Sequence, residues 1–168
     1  MGVGSGRSRA VAALLAATAT LVAGCGNDRS DGAPTPRPAN LAFIYVQASH
    51  TVLNQISPAV AQFFSYDYRH LDEHNTRIRA ASTARFWSQT APSLKVVNDV
   101  APREQVVATA QVVASSLHLL QPGRAELLLF VNRSTTEAGE RPQPDGVSVL
   151  VTAARVGQLW KIDEMTVS

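Results

Sequence analysis

Two histidines and the acids between them are the most chemically suggestive cluster in this sequence. His70 and His74 stand four residues apart, and Asp72 and Glu73 lie between them. Residues four apart share one face of a helix, so two imidazoles at this spacing can hold a metal ion together. A third ligand is not evident, and the Glu that directly follows the first His of the zinc-protease motif is missing. The pattern favours a polar helix start with one His packed inward, and we expect no metal site.

The carboxylates of the same region are candidates for a general base. Asp67, Asp72 or Glu73 could remove a proton if the fold buried one of them in a pocket. Acids at the start of a helix are more simply explained by capping and by the helix dipole. Ser115-Ser116 lacks the Gly-x-Ser-x-Gly frame of a nucleophile elbow, and the sequence has no Gly-rich phosphate loop. We therefore expect no catalytic residue, no cofactor and no enzymatic activity.

The one cysteine, Cys25, ends a segment typical of exported proteins. Arg7 and Arg9 precede the uncharged and mostly apolar residues 10–24. A helix of that length spans about 22 Å, which is less than the roughly 30 Å core of a bilayer. The segment closes on Leu21-Val22-Ala23-Gly24-Cys25, which resembles the lipobox of bacterial lipoproteins. The resemblance implies that the Cys25 thiol carries a diacylglyceryl group and that residues 1–24 are removed as a signal peptide.

Composition describes the rest of the chain. Residues 26–40 combine three Pro and two Gly with polar residues and cannot bury apolar surface. We therefore expect residues 25–40 to be a lipidated Cys with a flexible tether, and residues 41–168 to form one domain. The whole chain has 168 residues, of which 45% are hydrophobic, enough for a packed core.

Charge and cysteine count exclude several classes of protein. A single Cys excludes an internal disulfide and a Cys-based zinc cluster. Two of the 15 basic residues, Arg7 and Arg9, lie in the export segment, which leaves 13 bases against 13 acids. This neutral remainder has no basic field to gather phosphates, so we expect no nucleic-acid partner.

The first half of the domain has the pattern of helices. Asn40 is a candidate cap for a helix over residues 41–56, and Pro58 predicts either a kink or two abutting helices. A second helix is expected to bury its most apolar face, and a third from about residue 82 to 99 should be bent or interrupted at Pro92. The inner face of the second helix is Leu71, His74 and Ile78, and the core candidates of the third are Phe86, Trp87, Leu94 and Val97.

The second half changes to a period of two, which is typical of strands. We predict strands over about residues 105–118, 125–133, 147–156 and 159–167, with Leu127–Val131 buried on both faces. The fold class is therefore α+β, with N-terminal helices packed on a curved antiparallel four-stranded sheet. The aromatic residues expected to be buried against Leu128 and Phe130 are Phe63, Phe64 and Trp87. Arg124 and Arg133, which bracket the second strand, are expected to be solvated.

Several of these segments resemble one protein family. The run Tyr66-Asp67-Tyr68-Arg69, followed by Leu71 and Asp72, is similar to the signature of the actinobacterial Mce-associated proteins. Phe86-Trp87, residues 128–135 and the closing Gly157–Ile162 hairpin with Trp160 are similar to further family segments. The match covers roughly residues 60–165, and its last hairpin is shared by many domains of the nuclear transport factor 2-like (cystatin-like) fold. Many members have a transmembrane helix where this chain has a lipobox.

The resemblance implies a function as well as a cone-shaped fold. It implies a non-enzymatic, lipid-anchored accessory or scaffold subunit of an Mce-type system that imports fatty acids or sterols. Its partners would be Mce transporter proteins or other Mce-associated proteins, and its place the extracytoplasmic face of the cell membrane. Two alternatives stay open: a carrier that holds an apolar ligand in the cone, and a small isomerase- or dehydratase-like enzyme.

Replacing Cys25 with Ala tests the anchor. We expect the wild-type chain to be extracted with membranes and its intact mass to equal a chain that begins at Cys25 plus a diacylglyceryl group. The Cys25→Ala variant should lack that added mass and leave the tightly held membrane fraction, because two acyl chains are what makes such anchoring stable. A free thiol on membrane-extracted wild-type protein would contradict the lipobox.

Overall fold

The computed structural model describes residues 40–42 and 45–168. The predictions for the export segment, for Cys25 and for the tether up to residue 39 lie outside these residues. The described chain forms three helices and five strands in the order α1, β1, α2, α3 and β2 to β5. Their bounds are Val46–Phe63 (α1), Tyr66–Asp67 (β1), Leu71–Ala81 (α2), Ala84–Glu104 (α3), Val107–Gln121 (β2), Arg124–Thr136 (β3), Gln143–Val156 (β4) and Leu159–Val167 (β5).

The strands form one antiparallel sheet in the order β1-β2-β3-β4-β5, which confirms the α+β class and the meander. The prediction of four strands is short by one. β1 has only two residues and pairs Tyr66 with Ala108 and Asp67 with Val107. A two-residue strand shows no periodicity in the sequence, so the pattern could not indicate it.

The central strand β3 is buried on one face only, and the prediction of burial on both faces is wrong. Leu127, Leu129 and Val131 are at most 1% exposed, whereas Phe130 between them is 44% exposed. The helices cover a single face of the sheet, so alternate residues of β3 point to solvent as in other one-layer antiparallel sheets. Consequently Leu128 and Phe130 do not receive the aromatic residues of the helices.

Helix α1 fills the inner face of the sheet. Its buried residues follow a helical period, and Val52, Ile56 and Val60 have no exposed surface. They belong to one apolar cluster with β3, with β4 and with Phe86 of α3. Of the two alternatives for Pro58, the structure has a single helix with Pro58 inside it. Burial of this face compensates for the backbone hydrogen bond that a helical Pro lacks.

Asn40 is not the predicted helix cap, because α1 begins only at Val46. Its side chain binds the end of β2 instead. The Asn40 Nδ2 group donates to the His118 carbonyl at 2.7 Å, and Oδ1 accepts from the Leu120 amide at 2.9 Å and the Ala42 amide at 3.0 Å. The Oδ1 acceptor that would cap a helix thus binds the Leu120 amide of β2, and Nδ2 adds a bond to the same strand.

Helix α3 is longer than predicted and contains both Pro92 and Pro102. It ends at Glu104, where Gln105 adopts a left-handed backbone with φ of 50°. The last turn is held in place by Ala101, which is 2% exposed and packs with Leu71 of α2 and Val106. This burial outweighs the effect of Pro102, so strand β2 starts at Val107 and not at residue 105.

The buried aromatic residue of α3 is Phe86, which is 6% exposed, and Trp87 is only partly buried. One helical residue corresponds to a rotation of about 100°, so a single-residue error in phase exchanges an inner and a lateral position. Phe63 and Phe64 are partly buried as well and pack at the edge of the core. On α2 the predicted inner face is confirmed, since Leu71, His74 and Ile78 are all buried.

Thr83 joins the start of α3 to the last strand. Its Oγ1 accepts from the Phe86 amide at 3.2 Å as a helix cap and donates to Asp163 Oδ1 at 2.7 Å. Its amide donates to the Ile162 carbonyl at 2.9 Å. Arg85 donates to the same Asp163 carboxylate and, with the Thr83 hydroxyl, holds the pKa of Asp163 below its usual range.

Replacing Thr83 with Ala tests this junction. The change removes a cap and leaves an Asp163 oxygen without its closest hydroxyl donor, so we expect the free energy of unfolding to fall by about 1–3 kcal/mol. Thr83→Ser is the matched control, because it keeps the hydroxyl and should stay within about 0.5 kcal/mol of wild type. Chemical denaturation measures both values, and equal losses in the two variants would contradict a role for the hydroxyl.

Candidate functional site

The segment Tyr66 to Asp72, called the signature corner below, connects α1 to α2 and is bound to the first residues of β2. Ser65 Oγ precedes it and accepts from the Ala110 amide at 2.9 Å. β1 then pairs with β2, and the Tyr68 amide donates to the Val106 carbonyl at 3.1 Å. The corner is therefore an ordered part of the sheet edge.

Asp67 and Arg69 form the polar centre of the signature corner. The Arg69 amide and Nε each donate to Asp67 Oδ1 at 2.9 Å, and Arg69 Nη2 donates to Oδ2 at 2.5 Å. The guanidinium also lies 5.6 Å from the centre of the Tyr68 ring. The hydrogen bonds from Arg69 lower the pKa of Asp67 to about 2. Its carboxylate therefore stays ionised, and both of its oxygens accept hydrogen bonds from Arg69. Asp67 is thus unsuited to act as a general base.

The apolar signature residues point the other way, into a small second core. Leu71 is 9% exposed and clusters with Ala101 and Val106, and Tyr66 and Tyr68 pack against this cluster. Asp72 is exposed in the first turn of α2, where an acid favours the helix dipole. Trp160 does not belong to the signature corner: it packs against the main core, and its amide donates to Gln55 Oε1 at 2.7 Å.

The two histidines of α2 lie in different environments. His74 is 1% exposed, neither ring nitrogen makes a hydrogen bond, and its ring centre lies 5.7 Å from that of Tyr66. Burial is the main cause that lowers the pKa of His74, and Arg77 adds to it, whereas the Ser65 backbone opposes it. His70 is exposed, with Nδ1 3.7 Å from a Glu73 oxygen. Within residues 40–42 and 45–168, no three potential ligands lie close enough to hold a metal ion.

The remaining candidates for acid–base chemistry are on the surface. The Glu73 side chain is 68% exposed and pairs with Arg77 at 3.6 Å, and Ser115 and Ser116 are exposed on β2. A buried general acid would need a raised pKa. Among the described residues, the aspartates whose pKa departs from its usual value are Asp67, Asp145 and Asp163, and an arginine partner lowers the pKa of each.

A cavity of about 160 Å³ opens beside the signature corner. The two helices α1 and α3 form one side of it, and β1 with the ends of β2 and β3 form the other. Arg133 is part of this wall, with its guanidinium 5.4 Å from the centre of the Phe64 ring and in an ion pair with Asp145. The lining residues are Phe63, Phe64, Tyr66, Leu94, Val97, Ala108, Arg133 and Thr135.

Arg133 is the residue that the sequence reasoning missed. Its side chain is 31% exposed and not fully solvated as expected, because it lies on the inner face of β3. The signal was present in the sequence, since alternation from Leu127 through Leu129 and Val131 places residue 133 on the same face. The apolar run around Phe130 concealed this alternation. Arg124, at the other end of β3, pairs with Glu126 and is more exposed.

None of the helices in the described part of the chain is long and apolar enough to cross a membrane.

Comparison with known sequences gives distant relatives only. No protein-family model matches the chain. Two uncharacterized proteins of Mycobacterium tuberculosis, Rv1362c and MT1407, are 29% identical over 122 residues. The match covers 71% of this chain, which spans 55% of the length of these relatives.

Comparison with solved structures defines the class of fold. The periplasmic domain of DotI matches with a TM-score of 0.62 and 18% identity over 74% of this chain and 98% of its own. An IcmL-like type IV secretion system protein of Legionella pneumophila matches with a TM-score of 0.62 and 12% identity, over 73% of this chain and 91% of its own. VirB8 of Agrobacterium tumefaciens matches with a TM-score of 0.59 and 14% identity, over 80% of this chain and 96% of its own. The chain therefore has a VirB8-like α+β fold.

Replacing His74 with Leu tests the environment of the buried imidazole. The folded state disfavours the charged ring, so the unfolded chain takes up a proton first as the pH falls below about 6.5. The wild-type free energy of unfolding should therefore decrease from pH 7.5 to pH 5, by at most about 1.4 kcal/mol per pH unit from this group. His74→Leu should flatten this slope.

The matched control is His50→Leu, a change of the same type at an exposed position of α1. We expect it to keep the wild-type slope, because the replacement leaves the surroundings of His74 unchanged. Denaturant unfolding at five pH values measures the three slopes. The same slope in His74→Leu and in wild type would contradict the neutral, buried state of His74.

Proposed function

We propose that the chain is a non-enzymatic accessory subunit of an Mce-type lipid import system. In this proposal it is held by a lipid on Cys25 at the extracytoplasmic face of the membrane. The observation that carries the proposal is the signature corner, which combines the family-like residues into one bonded unit. Asp67 and Arg69 bind each other, and Leu71 anchors the corner in the second core. Such a corner gives the domain a fixed surface, which is what a scaffold needs.

The packing of the cone supports a scaffold more than a carrier or an enzyme. Val52, Ile56 and Val60 of α1 and the inner residues of β3 fill the space between the helix and the centre of the sheet with their own side chains. The carboxylates considered for catalysis are paired or exposed. A function through surface contacts agrees with both features.

The outer face of the sheet is the surface that we assign to the partner. Phe130 and Leu150 are 44% and 51% exposed there, on adjacent strands, and Leu128 is paired directly with Leu150. Neighbouring exposed apolar side chains are typical of contact sites between proteins. In the proposed complex, an Mce subunit or another Mce-associated protein covers this face.

A second candidate function comes from the fold comparison. The solved structures that match are periplasmic or secretion-system proteins, and the match covers 91% to 98% of their chains. A subunit of a secretion-type envelope complex is therefore the alternative partner class. Both candidates share a structural role in a multiprotein assembly of the envelope, and they differ in which proteins are bound.

Affinity capture of the full chain from mildly solubilised membranes of its own host tests the proposal. We expect quantitative mass spectrometry to recover Mce proteins in excess over a tagged lipoprotein of unrelated fold. The double variant Phe130→Ser/Leu150→Ser should reduce their recovery at least about tenfold, because exposed apolar anchors dominate such interfaces. Val96→Ser/Val100→Ser is the matched control, since this pair is 61% and 45% exposed on α3, away from the outer face of the sheet.

The outcomes separate the candidates. Recovery of secretion-type subunits in place of Mce proteins would support the alternative. Recovery of neither, from membranes that contain the folded chain, would contradict a scaffold role. Equal recovery by both double variants would leave the scaffold role but remove the outer face as its contact surface.

A further inference from the structure

The cavity beside the signature corner has an apolar side and a polar side. Phe63, Leu94 and Val97 belong to the helical side, and Leu94 is only 6% exposed. The aromatic rings here pack against one another. The centre of the Phe63 ring lies 5.3 Å from that of Phe64, in an edge-on contact, and 6.0 Å from that of Phe86. A wall of interlocked rings keeps its shape without a ligand, which reduces the entropy that binding must overcome.

The polar groups of the cavity are gathered on its sheet side. The polar residues among those that line it are Arg133, Tyr66 and Thr135. Burial raises the pKa of Tyr66, against the opposing effect of Arg133 and with a smaller contribution from Glu137. The Tyr66 hydroxyl therefore stays protonated at neutral pH and can donate a hydrogen bond. The cavity lining thus includes three side chains that can donate hydrogen bonds, all from the sheet side, and apolar side chains from the helices.

Arg133 is positioned to bind an anion. Its guanidinium carbon lies over the Phe64 ring, 5.4 Å from the ring centre, and its Nη2 donates to the Asp145 carboxylate. A guanidinium has five N–H donors in a rigid fork, so this one contact leaves further donors for a second carboxylate. The Asp145 side chain is 55% exposed. A ligand that reaches the Arg133 guanidinium from the cavity side therefore competes only with this solvated carboxylate.

The size of the cavity limits the ligand. A volume of about 160 Å³ is close to that of apolar protein cavities that hold a single benzene molecule. One ring or a short alkyl chain fits, whereas a whole sterol or a long acyl chain does not. The apolar side cannot supply the hydrogen bonds that would hold ordered water there, so an apolar group is the better occupant.

We propose that this cavity binds a small amphiphilic carboxylate, with its ring or short alkyl end against Phe63, Leu94 and Val97 and its carboxylate on Arg133. The Tyr66 and Thr135 hydroxyls complete the anion site. The site is separate from the outer face of the sheet and does not depend on the identity of the protein partner.

Calorimetric titration of the full chain in nanodiscs with 3-phenylpropionate tests the proposal. We expect saturable binding with one site per chain. 3-Phenylpropanol, which lacks the charge, and propionate, which lacks the ring, should each bind at least about tenfold more weakly, because each loses one half of the recognition. Empty nanodiscs subtract partition of the probe into lipid.

Variants assign the binding to this cavity. Arg133→Gln should weaken 3-phenylpropionate binding at least about tenfold, because it removes a charge-assisted contact. Arg124→Gln is the matched control, an arginine of the same strand that pairs with Glu126 and lies outside the cavity, and it should bind as wild type does. Thr135→Phe fills the cavity and should abolish binding while Arg133 stays in place. Thermal unfolding checks that each variant is folded.

Three results would overturn the site. The first is no saturable heat with folded wild-type chain at millimolar probe. The second is equal affinity for 3-phenylpropionate and 3-phenylpropanol. The third is unchanged affinity in folded Thr135→Phe. Each of these leaves the affinity-capture test of the protein partner unaffected, so the two proposals fail separately.

Discussion

The fold depends on the contact between one face of α1 and the inner face of the sheet. Val52, Ile56 and Val60 lie on that helical face, and every second residue of β3 packs into the same cluster. Burying an aliphatic side chain contributes about 1.5–3 kcal/mol, so this contact is the main source of cohesion in a sheet covered on one side only. Without α1, the inner face would be exposed, and the five strands would have no core of their own.

The signature corner follows from this arrangement. Because α1 lies across the sheet, its end at Phe63 leaves the chain close to the start of β2, and β1 forms there. After the corner, the chain continues into α2 and α3 on the remaining side of the cone. Leu71 of α2 and Ala101 of α3 belong to the second core there. The ionised pair in the corner is occupied by its own hydrogen bonds, and the polar edge of the nearby cavity is supplied by Arg133 of β3. Tyr66 belongs both to the corner and to the cavity lining, and it therefore connects the two.

The sequence predicted the α+β class and the meander well, because β4 and β5 have a clear period of two and a tight turn at Gly157 with positive φ. It failed where one signal concealed another. The continuous apolar run around Phe130 hid the alternation of β3, and with it the inward position of Arg133. The third helix was expected to end near residue 99, but the burial of Ala101 extends it past Pro102 to Glu104. The cavity could not be predicted at all, since it is formed by residues from α1, from α3 and from three strands, which meet only in the folded chain.

The central claim is that α1 is an integral part of the core and that its side chains fill the space between this helix and the centre of the sheet. Native-state amide hydrogen exchange of the full chain tests this claim most directly, because exchange reports the free energy of local opening residue by residue. The account predicts that the amides of residues 52–60 in α1 and of residues 127–131 in β3 exchange together, in the slowest class of the protein. If α1 exchanged at least about a hundredfold faster than β3, the helix would open on its own. That result would contradict its role as an integral part of the core.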